Sequence, residues 1–110
     1  MGLSFNTYQK NAVSTAIYPE EYKILYPALG LCGEAGEVAE KVKKMVRDDG
    51  GVLTSERRDA LKKELGDVLW YLANIANDAG LNLEDIALAN IAKLFSRKER
   101  GVLQGDGDER

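Results

Sequence analysis

The sequence predicts an all-α fold, a bundle of four to five helices, and three observations carry that prediction. Apolar residues recur at three- and four-residue spacing, and no stretch alternates in the way a half-buried strand does. Helix punctuation recurs as well, with Ser4, Thr54 or Ser55, and Asn82 suited to N-caps and Asp48-Asp49-Gly50-Gly51 and Gly80 suited to stops. The third observation is a phrase written twice, thirty residues apart: Leu31-Cys32-Gly33-Glu34-Ala35-Gly36-Glu37-Val38 aligns without a gap on Leu61-Lys62-Lys63-Glu64-Leu65-Gly66-Asp67-Val68. The apolar positions stay in step beyond it, Val42 against Leu72 and Met45 against Ile75. At about 100° per residue each copy makes a helix with one apolar stripe and two acids on its flank.

Taken in order, Ser4 caps a first helix from Phe5 to Ile17, ended by Pro19. The aromatic-rich segment from Tyr18 to Tyr26 is a connection to which the pattern assigns no conformation. Pro27 suits the first turn of a second helix that runs to about Arg47. Thr54 or Ser55 caps a third that ends near Gly80, and Asn82, with Asp85 in capping-box position, opens a fourth that reaches about Arg100. Residues 101–110 form a glycine-rich tail without periodicity. The expected arrangement places the two acidic helices antiparallel at the centre of the bundle.

The 110 residues suffice for one domain with a modest core, one that oligomerisation would help. A net charge of −3 argues against a nucleic-acid-coating role, and no apolar run approaches membrane-spanning length. A single cysteine, Cys32, excludes an internal disulfide and suits a reducing compartment, so cytoplasmic residence is expected. The absence of histidine removes His-containing zinc sites, Ser-His-Asp triads and imidazole acid–base chemistry. Any metal must therefore be held by oxygen, which selects Mg²⁺ or its substitute Mn²⁺, leaves Ca²⁺ open and counts against zinc and iron.

Packed as a hairpin, the two copies bring Glu34, Glu37, Glu64 and Asp67 together. Four carboxylates do not converge as bare anions without strong repulsion or shifted pKa values, so the expected occupant is a cation. A solvated face is the plain alternative: Glu37 with Lys41 and Glu40 with Lys44 are i,i+4 pairs, and the matched register of two copies weighs against it. Glu40, opposite the stripe, belongs to the surface. Gly36 and Gly66, each just before the second acid, would allow close helix approach or leave room for a ligand. Along the third helix the same edge continues through Tyr71, Asn74 and Asp78, an aromatic face and an amide suited to a nucleobase or sugar, while Trp70 turns toward another helix or subunit. On the fourth helix Asn90, Lys93, Arg97 and Arg100 form one polar stripe. Acids on one helix pair and cations on another are what a metal-bound polyphosphate demands. The tail could fold over a bound anion through its N–H groups or stay disordered.

With these residues in place, the chain resembles the MazG-like nucleoside triphosphate pyrophosphohydrolases of the all-α NTP pyrophosphatase superfamily. That family's signature, Glu-Glu-x-x-Glu followed by Glu-x-x-Asp, is matched by Gly33-Glu34-Ala35-Gly36-Glu37 and Glu64-Leu65-Gly66-Asp67. The likeness extends to Tyr8-Gln9 near the start, and to Asn90, Lys93, Arg97 and the tail. One departure stands out: Gly33 occupies the place of the family's first Glu, which leaves four of five signature acids and leaves open the number of metals. The resemblance implies hydrolysis of a nucleoside triphosphate between its α- and β-phosphates. Glu34, Glu37, Glu64 and Asp67 would be catalytic Mg²⁺ ligands, Lys93 and Arg97 phosphate contacts, and Asn74, Asn90 and Tyr71 contacts to sugar, phosphate or base. It also implies a homodimer or homotetramer. Rival readings are a phosphoribosyl-ATP pyrophosphohydrolase, a helical carboxylate protein that holds metal without hydrolysis, and a partner module that kept only the fold.

Overall fold

A computed structural model describes residues 2–110. Its elements are α1 (Phe5–Ser14), a 3-10 turn (Glu20–Tyr22), α2 (Leu25–Asp48), α3 (Ser55–Asp78) and α4 (Leu83–Glu99), with no strand among the described residues. The caps are the local ones the sequence offers. The Ser4 hydroxyl accepts from the Thr7 N–H at 3.0 Å, Thr54 from that of Arg57 at 3.2 Å, and the Asn82 amide oxygen from that of Glu84 at 2.9 Å. Gly80 ends α3 at φ 73°, with the Leu81 N–H bonded back to the Ala76 carbonyl and that of Gly80 to Asn77, the paired bonds of a Schellman stop.

One boundary differs from the sequence reading. α1 stops at Ser14 rather than Ile17, because the Thr15 hydroxyl and N–H both turn back to the Ala12 carbonyl and compete with further helical bonds. α2 begins at Leu25 and holds Pro27 in its first turn, as read, which costs nothing because the first N–H groups of a helix have no internal partner. Ile24, just ahead, is held at φ 67°, an unusual conformation for a β-branched residue. Asp78 secures it: its carboxylate accepts from the Ile24 N–H at 3.0 Å and from the Tyr18 hydroxyl at 2.6 Å. Tyr18 in turn stacks on Tyr26 with ring centroids 4.9 Å apart.

α3 is the hub, packed against α2 most extensively and against α1 and α4 as well. The two acidic helices thus form the most extensive helix pair, as expected, and α2 makes most of its contacts with α3. Ala12, Ala73 and Leu83 form the buried cluster, with Tyr8, Trp70 and Ile86 against it. Trp70 packs toward α1 and donates to the Thr15 hydroxyl at 2.8 Å. The buried Gln9 ties three elements together, its amide donating to the Ala73 and Leu81 carbonyls and accepting from the Leu83 N–H at 2.8 Å.

Close approach within the α2–α3 hairpin occurs at Gly30, not at Gly36 or Gly66. The Tyr71 ring lies where a Gly30 side chain would be, whereas a methyl group at Gly36 or Gly66 meets nothing within 4 Å. Apolar surface remains open on every helix: Leu29 is 66% exposed on α2 and Phe95 62% on α4. The radius of gyration is 16.9 Å, against about 13 Å for a compact chain of this length.

Gly30→Ala is expected to lower stability by about 1–3 kcal/mol, because the methyl group would displace the Tyr71 ring. Gly36→Ala, in open space, is expected to raise it by about 0.5–1 kcal/mol. Thermal unfolding of the two variants beside the wild type checks the pair; equal shifts would contradict the notch.

Candidate metal centre

The α2–α3 hairpin sets Glu34 opposite the acids of α3. One carboxylate oxygen each from Glu34, Glu64 and Asp67 lies within 4.8 Å of the others. Glu34 and Glu64 are half-buried and Asp67 is exposed. The Glu34 pKa is raised, first by a hydrogen bond with the Glu64 carboxyl, then by burial, then by the charges of Asp67, Glu64 and Glu37. A cation relieves the same repulsion that a proton does. The donors are all hard oxygens, with no sulfur or imidazole, and they fit Mg²⁺ or Mn²⁺.

Of the four expected ligands three converge. Glu37, one turn from Glu34, is exposed and outside the cluster, and makes no ion pair or hydrogen bond among the described residues. Its expected partner Lys41 turns instead toward α3, with its ammonium 4.0 Å from the Glu64 carboxylate. Glu40 lies on the far surface, paired with Lys43 at 3.0 Å. Gly33 is open: a side chain there would meet nothing within 4 Å.

Tyrosines border the acids. The Tyr71 hydroxyl pKa is raised by burial and then by the neighbouring Tyr26, Glu34 and Asp67, which places this expected contact beside the cluster. Tyr8, on α1, is raised by burial and by Asp67. Asn74 lies elsewhere than expected: it is 1% exposed, donates to the Trp70 carbonyl at 3.0 Å, and keeps an unpartnered side-chain oxygen inside the protein. Packing against other helices encloses it, so it does not line an open cleft.

The α4 stripe bonds to the tail. Asn90 and Lys93 line a shallow depression with Ile86 and Ala89. Lys93 and Arg97 are both taken up by the tail, Lys93 bonding the Asp108 carboxylate at 2.9 Å and Arg97 bonding the same oxygen at 3.2 Å and the Asp108 carbonyl. The tail is thus ordered, and Arg110 fastens it by donating to the Val102, Leu103 and Gly107 carbonyls. No hydrogen bond or ion pair among the described residues joins the α4 cations to the carboxylate cluster.

The sequence reading missed Lys41, Tyr8, Tyr26 and Asp108. Lys41 had a local partner four residues away that the fold does not use. The other three act through contacts between different elements of the fold, which helix periodicity does not encode.

A helix hairpin with converging carboxylates defines the class of all-α carboxylate sites to which this fold belongs. Within it the chain belongs to the MazG nucleotide pyrophosphohydrolase domain family, whose sequence profile matches residues 25–102, from the start of α2 past the end of α4. It is also similar to Gene 37 protein of Mycobacterium phage L5, with 50% identity over 109 residues that cover 94% of this chain and 96% of that protein. No solved structure matches it. No helix among the described residues is long and apolar enough to cross a membrane.

The Asp108 pKa is lowered by its bonds to Lys93 and Arg97, so the clamp is intact above the ordinary carboxylate range and is lost as pH falls through the lower, folded value. Asp108→Asn is expected to free the tail at neutral pH. Hydrogen exchange should speed up over residues 102–110 and stay unchanged in α2 and α3; a tail that remains protected would refute the clamp.

Proposed function

We propose that the chain is a divalent-metal-dependent nucleoside triphosphate pyrophosphohydrolase, converting a ribo- or deoxyribonucleoside triphosphate to its monophosphate and pyrophosphate. The observation that carries this reading is the convergence of Glu34, Glu64 and Asp67 on one hairpin in a chain of the MazG family. We assign these three as Mg²⁺ ligands and Glu37, free to turn one helical step inward, as the fourth. When bound, the metal supplies positive charge to the phosphate oxygens and acidifies water.

The chain's own residues position and balance charge. The Glu64 carboxyl helps hold the Glu34 pKa up, and metal loading requires that Glu34 give up any proton it holds. Tyr71, wedged on Gly30, walls one side of the centre and restricts where a substrate ring can lie. Gly33 leaves that flank open and offers no carboxylate to accept a proton from water, a role that would pass to Glu34. Lys93 and Arg97 would meet phosphate only after Asp108 lets go of them. Asn90, exposed beside Lys93, is the remaining α4 candidate.

We also propose a homodimer or homotetramer, supported by the expanded shape and by apolar side chains such as Leu29 and Phe95 that this fold leaves in water. Cytoplasmic housecleaning of the nucleotide pool is the role that fits such an enzyme.

Pyrophosphate release from a panel of canonical and modified triphosphates, with Mg²⁺ and with Mn²⁺, tests the reading. Asp67→Asn and Glu64→Gln are each expected to lower kcat/KM by about 100-fold or more. Glu37→Gln is expected to lower it less, since Glu37 stands outside the converged set. Tight metal binding with no turnover of any triphosphate would leave a carboxylate metal protein in place of the hydrolase.

Because the Glu34 carboxyl holds its proton to higher pH than an ordinary glutamate, Mg²⁺ affinity is expected to weaken early as pH falls, above the usual carboxylate range. Calorimetric titration across pH checks this. An affinity constant down to the ordinary glutamate range would contradict it.

A further inference from the structure

The α2–α3 hairpin is polarised along its length. Every lysine and arginine of α2 and α3 lies in the half nearest the connecting loop, from Lys41 to Lys63. Every aromatic residue of the two helices lies in the opposite half, and none occurs between Pro27 and Leu69. The carboxylate cluster sits between these two ends.

At the aromatic end, Tyr26, Gly30, Glu34 and Lys41 fall within about 80° of arc on α2. Tyr71 crosses from α3 onto Gly30, one turn from Glu34. Tyr26 is 46% exposed, and its ring rests on Tyr18 in a parallel stack at 17°, which Asp78 pins through the Tyr18 hydroxyl. A ring held in this way is a ready platform for a further planar ring. At the other end Lys41 is half-buried with its ammonium 4.0 Å from Glu64. By helical rise, Tyr26 lies about 12 Å from Glu34 along the axis and Lys41 about 10 Å beyond it.

We infer that a nucleoside triphosphate lies along this face in one polarity, its base against Tyr26 and Tyr71 and its terminal phosphates toward Lys41. This rests on the carboxylate cluster being the hydrolytic centre. With the scissile bond at the carboxylates, base and leaving pyrophosphate must lie on opposite sides of them. A planar apolar ring is matched by the tyrosines and an anion by the lysine, and the reverse polarity would put a polyanion against tyrosines and a base among lysines. Lys41 is then the cation of the same hairpin that meets the leaving group, while Lys93 and Arg97 are engaged by the tail.

The two products separate the two ends. Affinities of the full-length protein for a nucleoside monophosphate and for inorganic pyrophosphate, both with Mg²⁺, are measured by calorimetry. Tyr26→Ala is expected to weaken the monophosphate by about 10-fold and leave pyrophosphate within about 2-fold; Tyr26→Phe keeps both. Lys41→Met is expected to weaken pyrophosphate by about 10-fold and leave the monophosphate unchanged, with Lys41→Arg retaining both. Mg²⁺ affinity without nucleotide shows that the metal site is intact: it is expected to be unchanged in the Tyr26 variants and Lys41→Arg, and no weaker in Lys41→Met, which removes a cation 4.0 Å from Glu64. Where Tyr26→Ala does not fold, Tyr26→Leu keeps volume without a π-face and carries the same expectation.

A reversed pattern, a uniform loss of both products, or no loss overturns the polarity. So does a change of oligomeric mass in Tyr26→Ala, which would assign the ring to a subunit contact. Failure of the wild type to hydrolyse any triphosphate, with both products still bound at opposite ends, would instead count against the hydrolytic reading of the centre.

Discussion

The register of the α2–α3 hairpin is the constraint on which the rest depends. Glu34 meets Glu64 and Asp67 only because two helices, joined by a short loop, are held at one offset. Two contacts fix that offset at its ends: the Tyr71 ring seated on Gly30, and Arg57 bonding the Asp49 carboxylate at 2.7 Å beside the loop. A slip of one residue would rotate the acids about 100° away from each other. Steric fit sets the geometry here, and the electrostatics follow from it, since the carboxylates repel and contribute nothing to closing the hairpin without a cation.

The acids sit on the α2–α3 hairpin, Glu34 on α2 and Glu64 and Asp67 on α3, and the exposed Asp67 opens the cluster to solvent. The buried cluster lies on the other side of α3, against α1 and α4, built around small residues and the Gln9 bridge. Few large apolar side chains are buried in the chain, which leaves apolar surface that self-association would cover. The tail adds a second restraint to α4, where Asp108 neutralises two cations that would otherwise stand beside each other. Its exposed carboxylate is well placed to hold the tail and poorly placed to stabilise the fold.

Local features were legible in the sequence, and contacts between distant segments were not. Ser4, Thr54 and Asn82 cap helices as read because a cap bonds only its own first turn. The duplicated phrase placed Glu34, Glu64 and Asp67 on matching faces because register repeats with the helix period. It did not reveal Gly30: that glycine matters through Tyr71, forty-one residues away, and in the repeat it aligns with an ordinary alanine at position 60. The same limit explains Asn74, whose place on the wheel does not say which helix covers it, and Lys41, whose local pairing with Glu37 lost to a cross-helix contact. Asp78 looked like one more acid on the edge and proved to be the anchor of a strained Ile24 and a tyrosine stack.

The most direct test of the account is the identity of the bond broken. Phosphorus NMR of a nucleoside triphosphate incubated with the protein and Mg²⁺ distinguishes the products without coupling enzymes. The account predicts that the triphosphate resonances give way to those of a nucleoside monophosphate and inorganic pyrophosphate in equal amounts, and that chelation of the metal stops the change. Nucleoside diphosphate with orthophosphate, or turnover that survives chelation, would contradict it.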